Sequence, residues 1–394
     1  MTQSHHPQVI ASHPGAAVTL NFLIAPSSKG QFVNELILLS DNRALSTTEL
    51  VEARRICDEL TAATVGRDEY LRTHKVDKAF ALPDANWSYD APNEFVQLFK
   101  RIAKGCEEDL NRLRGFTQVF SGYNLYEVAD GKGHRAATMQ FNEGFEARLE
   151  GNLVARNLKY IDPHKAQIAD IPPALVLRPP VMLGEVGHMV DGVLVNHDTF
   201  VYQERINILY YSGLADLVQR KIEATGKVNI CEIGGGYGAL CRWFMEVFPQ
   251  ASYTIVDLPE SLLFSRLYAS LTKPGLAFTF GLDPANPGVR FTPNYMAEEL
   301  DDSFDLIINT LSMSEMTEYQ VRKYAGLMST SWLKEDGVFF EQNHDSRYLG
   351  LICAQDVLAS EFEFHYPLRS ATKRFGQGLA NLWALNPLPP VNGT

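Results

Sequence analysis

The feature that most constrains this chain is the stretch from Val228 to Pro259, which reads as strand, glycine turn, helix, strand. Val228, Ile230 and Ile233 form a short apolar run of the kind shown by a parallel strand buried on both faces. Gly234, Gly235, Gly236 and Gly238 follow, so the backbone turns sharply and a ligand can approach the main chain with no Cβ in the way. Leu240, Phe244, Val247 and Phe248 then fall on one helical face, and Pro249-Gln250 stops that helix before Tyr253 to Val256 resumes as a strand. Asp257 stands at the carboxyl end of this second strand. In a doubly wound sheet such a turn and such an acid face one crevice. The helix N-terminus and free N–H groups there suit an anionic group, and the carboxylate suits ribose hydroxyls. The pair therefore points to an adenosine-containing ligand.

Gly234, Gly236 and Ala239 also satisfy the dinucleotide pattern G-x-G-x-x-A, so the glycines alone leave NAD open. Glu232 separates the two readings. An acid two positions before the first glycine repels a pyrophosphate, whereas it suits a ligand carrying an ammonium and a sulfonium. The combination Glu232, Gly234, Gly236, Gly238 and Asp257 resembles the class I methyltransferases, whose first motif is E/D-x-G-x-G-x-G and whose second strand ends in an acid. The resemblance implies S-adenosyl-L-methionine as cofactor. For that ligand Tyr237 is expected near the methionine end, and Leu258 beside the ribose or adenine. Asn294, after the third strand, is the candidate adenine contact, while Asn309 and Thr310 close the fourth strand over the crevice. Tyr202 and Arg205, on the preceding helix, are candidates for the donor's carboxylate, a task an arginine fork suits, although an ordinary surface arginine is the competing reading.

With 394 residues the chain can build an ample core, and its length suits two domains or one large elaborated one. Apolar residues make up 45% and charged residues 21%, which describes a globular chain. A formal net charge of -12, with no Lys/Arg cluster, argues against a nucleic-acid-binding surface. The five cysteines are scattered with no C-x-x-C pair, pointing to reduced thiols in a cytoplasmic protein, with Cys231 and Cys241 packed in the core. The N-terminal residues lack the basic region of a signal peptide, and the apolar run from Ala16 to Ala25 is too short to span a membrane. Asp301, Asp302 and Asp305 read as a solvated turn, so no metal is expected.

The organisation expected is a mainly helical accessory, dimerisation and acceptor-lid region over 1–197, a linking helix over 198–226, and an α/β domain over 227–394. Ser46-Thr-Thr-Glu49 is a capping box opening a helix to about Ala63, and a second apolar stripe runs from Asn93 to Leu113, including Phe95, Leu98, Phe99, Ile102 and Cys106. Short β-like runs stand at Val18 to Ile24 and Phe32 to Leu39, and Phe120 to Leu125 and the loop Asp130 to Gly133 are turn-rich. Residues 160–198, rich in Pro and Gly, read as a binding or lid segment. A helix starts at Asp198, with that residue as N-cap, and ends near Thr225-Gly226. Beyond the glycine turn, helices over Ser261 to Leu271 and Thr317 to Leu327 alternate with strands. Those strands are Leu276 to Phe280, Val289 to Thr292, Phe304 to Asn309, Gly337 to Glu341, Phe362 to His365 and Leu379 to Leu385. Such alternation predicts a Rossmann-like, mostly parallel sheet, and an antiparallel last strand would fit the methyltransferase resemblance.

The segment Phe304 to Thr317, with Phe120 to Leu125, the stretch from Leu194 to Thr199 and the helix after it, is similar to a family of sugar O-methyltransferases over roughly residues 115–385. That resemblance implies methyl transfer to a hydroxyl of a small polar molecule, a sugar or a specialised metabolite of natural-product biosynthesis. A homodimer through the N-terminal helices is implied by likeness to plant-type small-molecule O-methyltransferases. The histidine those enzymes carry after the fourth strand is absent, Ser312-Met-Ser-Glu315 standing there instead. A sugar hydroxyl is hardly ionised at neutral pH, so a base should help. The candidates are Glu315, His197 and His344, each with a bland alternative as a helix N-terminal acid, a packed ring or an exposed loop residue. Transfer to nitrogen or carbon on the same scaffold, an NAD-dependent oxidoreductase, and a non-catalytic partner subunit are the rival readings.

Overall fold

The computed structural model describes residues 35–83, 94–117, 159–345, 347–368 and 380–388. The run from Val18 to Ile24, the segment Phe120 to Leu125 and the turn at Asp130 to Gly133 lie outside the described residues. First in the chain is a small antiparallel sheet of β1 (Glu35–Ile37), β2 (Gly187–Val190) and β3 (Val193–Val195). The central sheet is built from β4 (Val228–Ile233), β5 (Ala251–Asp257), β6 (Phe278–Phe280), β7 (Gly288–Pro293), β8 (Phe304–Thr310), β9 (Leu333–Gln342), β10 (Phe364–Pro367) and β11 (Ala380–Ala384). Its order is β10-β11-β9-β8-β4-β5-β7-β6. Strands β6 to β9 and β4 to β5 pair parallel to their neighbours, and β11 runs antiparallel to both β9 and β10. The α/β class and the Rossmann-like sheet expected from the sequence are thus present.

The period-two alternation of side chains explains why this sheet is covered on both faces. Ile230, Ile255, Leu306, Ile308 and Phe340 feed one core, while Cys231, Val256, Ile307 and Phe339, their neighbours along the same strands, feed the other. Strand β8 is buried at all seven residues, as a central strand must be.

Several helices differ from the sequence expectation for identifiable reasons. Helix α1 (Thr47–His74) opens on the Ser46/Glu49 capping box but runs well past Ala63. Its second half is held by the sheet domain: Arg67 pairs with Glu260 at 3.1 Å, and Tyr295 donates its hydroxyl to the Ala63 carbonyl at 3.1 Å. A short α2 (Lys78–Ala81) follows. The stripe expected over Asn93 to Leu113 is broken into α3 (Glu94–Ile102), α4 (Glu107–Leu110) and α5 (Leu113–Thr117), because Gly105 adopts φ 64° and closes α3 onto the Ile102 carbonyl. Leu98, Phe99, Ile102, Leu110 and Leu113 are buried, whereas Cys106 caps α4 and is exposed. The single linking helix is two, α6 (His197–Tyr211) and α7 (Leu214–Thr225), separated at Gly213 with φ 77°. The N-cap of α6 is Asn196, whose side chain accepts the Thr199 N–H at 2.9 Å. Asp198 lies inside the first turn, fully buried against Arg114 at 2.9 Å. The sheet helices are α8 (Ala239–Val247), α9 (Pro259–Thr272), α10 (Glu318–Leu327) and α11 (Ala354–Leu358). No helix among the described residues is long and apolar enough to cross a membrane.

Candidate cofactor and catalytic cleft

A cleft, open in part to solvent, lies over the carboxyl ends of β4, β5 and β8. That is where an open α/β sheet presents its loops to a ligand. The turn after β4 contributes Gly234 and Gly236, with φ 75° and 56°. A Cβ on Gly234 would stand 2.1 Å from the Ser312 hydroxyl, so close contact with the β8 turn already requires glycine there. Gly238 does not line the cleft. It precedes α8 and packs against the Ser265 backbone, where a Cβ would sit 3.2 Å from the carbonyl oxygen.

Asp257 and Leu258 line the neighbouring wall. The Asp257 carboxylate accepts the Leu258 N–H at 2.7 Å, with further hydrogen bonds from the Gly236 N–H and Ser261. Burial outweighs these donors and pushes its pKa up to about 7. Glu232 is placed differently from the expectation of a direct ligand contact. It is buried behind the glycine turn, outside the cleft lining, and accepts the Tyr253 hydroxyl at 2.8 Å. Burial raises it to about 7 as well, opposed by the Tyr253 hydrogen bond and the charge on Arg205.

Tyr202 and Arg205 reach the cleft from α6. Arg205 is 2% exposed, its guanidinium lies 4.5 Å over the Tyr202 ring, and its Nε makes no hydrogen bond among the described residues. This is no surface arginine. Tyr237, by contrast, is buried behind the wall, with the Arg114 guanidinium 3.6 Å over its ring and Tyr202 and Tyr268 edge-on at 5.4 and 5.1 Å. Arg114 is itself held by Glu185 at 2.7 Å and by Asp198.

The end of β8 divides its labour. Thr310 faces the cleft, while Asn309 lies beneath it, donating to the Ile233 carbonyl at 2.7 Å and receiving Asn343 at 2.8 Å. Leu311 follows with φ 69°, an unfavourable left-handed conformation for a leucine, which swings Ser312 to Glu315 across the opening. Glu315 lines the cleft; its carboxyl meets solvent there, but the surrounding walls displace enough water to raise it to about 7. His197 and His344 are not among the lining residues. His197 begins α6, 3.3 Å from Asp198 and edge-on to Tyr160 at 5.5 Å, and His344 is half-buried after β9. Asn294 does line the cleft, donating its Nδ2 to the Ala81 carbonyl at 2.8 Å.

Sequence reasoning missed the wall formed by Phe80 and Pro83, and its partners Gln320 and Tyr324 from α10. Four helical residues show no periodicity, and only Asp77, whose side chain caps α2 at 2.9 Å from the Ala79 N–H, marked a helix start. The helix from Thr317 was expected, but its capping residue Gln320 also donates to the Phe80 and Leu82 carbonyls at 3.1 and 2.8 Å, a tertiary contact no local pattern announces. No group of three or more His, Cys, Asp or Glu among the described residues is placed to hold a metal ion.

A parallel sheet whose penultimate-position strand, β11, is inserted antiparallel between β9 and β10 decides the architecture. The fold is a Rossmann-like α/β sheet, mostly parallel, with one antiparallel strand inserted near its edge. No protein-family model matches the chain, and no curated protein matches it. Solved structures that match include the N-methyltransferase NodS from Bradyrhizobium japonicum WM9 with S-adenosyl-L-homocysteine, at 15% identity over 43% of this chain and 83% of that one, TM-score 0.30. Human N-acetylserotonin methyltransferase with SAM matches at 13% identity over 47% and 56%, TM-score 0.30. An O-methyltransferase family protein from Burkholderia thailandensis matches at 14% over 48% and 60%, TM-score 0.32. Likeness at this level carries no functional weight, so the cleft's own residues must bear the reading.

Proposed function

We propose that this protein is an S-adenosylmethionine-dependent methyltransferase that methylates a hydroxyl of a small polar molecule, a sugar or specialised metabolite. One observation carries the reading: a single cleft holds Asp257 beside the Gly234/Gly236 turn and, from α6, the buried Arg205 with an unpartnered Nε. A carboxylate suits a ribose diol, and a buried arginine fork suits a terminal carboxylate. A buried Nε with no hydrogen bond among the described residues is costly, and an acceptor on a ligand offsets that cost. A ligand offering both a diol and an amino-acid carboxylate fits these residues. Glu232, behind the turn, adds a negative field for the ammonium and sulfonium.

Bound there, the donor supplies a methyl group already activated on sulfur. The chain's task is then to align an acceptor oxygen and remove its proton. We assign the second task to Glu315, supported by its position on the cleft lining and its carboxyl near 7. Calorimetric titration of the full chain with S-adenosylhomocysteine, with NAD in parallel, tests the reading. Binding of the former that falls at least ~10-fold in Asp257→Ala and in Arg205→Met supports it, because each removes a charge-assisted contact. Binding of NAD alone, or of neither, overturns it. The homodimer implied by the sequence is checked by light scattering, where a monomeric mass removes it.

A further inference from the structure

We infer that Tyr237, held under Arg114, is a positioning residue for donor binding that acts by setting Arg205; the inference rests on the cofactor reading above. Arg205 must keep one plane if its fork is to meet a carboxylate, and an arginine has much rotamer freedom to lose. Its Nε makes no hydrogen bond among the described residues, and Glu232 attracts it only through space, which fixes no plane. What orients it is the Tyr202 ring, 4.5 Å beneath the guanidinium. That ring stands nearly perpendicular to Tyr237, at 82° and 5.4 Å. Tyr237 in turn lies under the Arg114 guanidinium at 3.6 Å, with Tyr268 of α9 at 5.1 Å. Cation, ring, ring and cation thus form one stack running from α5 to the cleft.

The geometry of α6 explains why the stack is continuous. Asp198, Tyr202 and Arg205 fall at i, i+4 and i+7, on one face of that helix. Arg114 pairs with Asp198 at 2.9 Å and with Glu185 at 2.7 Å, all three being buried. Glu185 also accepts the Nδ2 of Asn196, the α6 N-cap, at 2.7 Å. The start of this face is therefore pinned by the same guanidinium that covers Tyr237. A buried arginine shared by two carboxylates cannot shift without stranding one of them, so the Tyr237 ring has a fixed ceiling. Only a planar fork can do both tasks, pairing along its edge while its face lies on the ring. Tyr237 leaves the turn between Gly236 and Gly238, at φ 56° and 88°, and is not among the residues that line the cleft. Its effect therefore passes through Tyr202 and reaches the carboxylate end of a donor, while the ribose end rests on Asp257, outside the stack.

The experiment compares two ligands by calorimetry on the full chain: S-adenosylhomocysteine, which carries the amino-acid carboxylate, and 5′-methylthioadenosine, which lacks it. The wild type should bind the former at least ~10-fold more tightly, the scale of a charge-assisted contact. Tyr237→Leu should erase most of that advantage by weakening S-adenosylhomocysteine while leaving 5′-methylthioadenosine nearly unchanged. Tyr237→Phe, which keeps the ring, should retain the advantage. In an Arg205→Met background Tyr237→Leu should add no further loss, because residues acting as one unit are not additive. Unchanged affinity in Tyr237→Leu, an equal loss for both ligands, or a loss that persists in the Arg205→Met background overturns the inference, since a residue that merely packs would behave in one of these ways. Should Tyr237→Leu lose its native circular dichroism, Arg114→Lys is read under the same criterion; it keeps a charge for Glu185 and Asp198 but loses the planar face. A wild type that binds neither ligand, or both equally, defeats the cofactor reading instead.

Discussion

Three carboxyl groups at or behind this cleft are lifted to about 7, Glu232 and Asp257 by burial and the solvent-facing Glu315 by the walls around it. In an unfolded chain they would ionise near 4, so the folded protein holds their protons more tightly, and its stability falls as pH rises from about 4 to 7. A cationic ligand favours the ionised forms and reverses part of that loss. Affinity for S-adenosylmethionine is thus expected to rise between pH 6 and 7.5 with release of protons, measured by calorimetry in buffers of different ionisation enthalpy. Glu232→Gln should flatten that rise; an unchanged slope would remove Glu232 from the donor's field. For Glu315 the base must be ionised, so turnover on an acceptor found by screening should climb through pH 7 and level above it. Glu315→Gln should slow turnover ~100-fold while leaving donor affinity nearly intact. Gly234 makes a different kind of demand. Gly234→Ala places a Cβ 2.1 Å from the Ser312 hydroxyl at a φ of 75°, which should cost roughly 2–4 kcal/mol in denaturant unfolding. Ser312→Gly in the same chain should recover the steric part.

At the scale of elements, the turn that carries Glu315 rests on a buried polar chain beneath β8, β9 and β11. Glu341 is fully buried and receives Asn343 at 2.9 Å, Gln355 at 3.0 Å and Asn381; Asn343 in turn accepts the Ser314 N–H at 3.1 Å. Burial raises the Glu341 carboxyl, with the amide donors opposing that rise. Replacing it by leucine strands three amides at once, so Glu341→Leu is expected to lose ~3–5 kcal/mol of stability by urea unfolding. None of this was visible in the sequence, because Asn, Gln and Glu on a strand carry no period and their partners lie up to 40 positions away. What was legible follows local rules. The glycine turn, Asp257 and the strands from β4 to β9 announce themselves by backbone need and by apolar runs. The breaks at Gly105 and Gly213 were missed since glycine inside an apolar stripe looks tolerable until its φ is known. Arg205 was legible in position, but its burial was not, because one arginine on a helix is more often at the surface. Tyr237 and Gly238, adjacent to the cleft in sequence, face away from it for the converse reason: pattern gives proximity along the chain, not the direction a side chain takes.

Over the whole molecule, the described N-terminal helices do not form a core of their own. Leu50, Ile56 and Leu60 of α1 and Phe99 of α3 belong to the same buried cluster as Leu263 and Leu267 of α9 and the β4 and β5 residues beneath. Charge reinforces this seam, with Arg67 against Glu260 at 3.1 Å and Arg266 against Glu59 at 3.0 Å. Apolar surface shared in this way cannot be exposed on one side alone, so loss of α1 would uncover α9 and weaken the sheet behind it. Helix content and sheet packing should therefore be lost together. The test is urea unfolding followed by far-UV circular dichroism, which reports all helices, and by tryptophan fluorescence. Three of the four tryptophans, Trp243, Trp332 and Trp383, are buried in the sheet domain, so in a Trp87→Phe background fluorescence reads that part of the structure. Coincident curves are expected. A helical signal that falls first, with fluorescence still native, would mean that the N-terminal helices fold as a separate unit and that the cleft wall at Phe80 and Pro83 can open independently of the sheet.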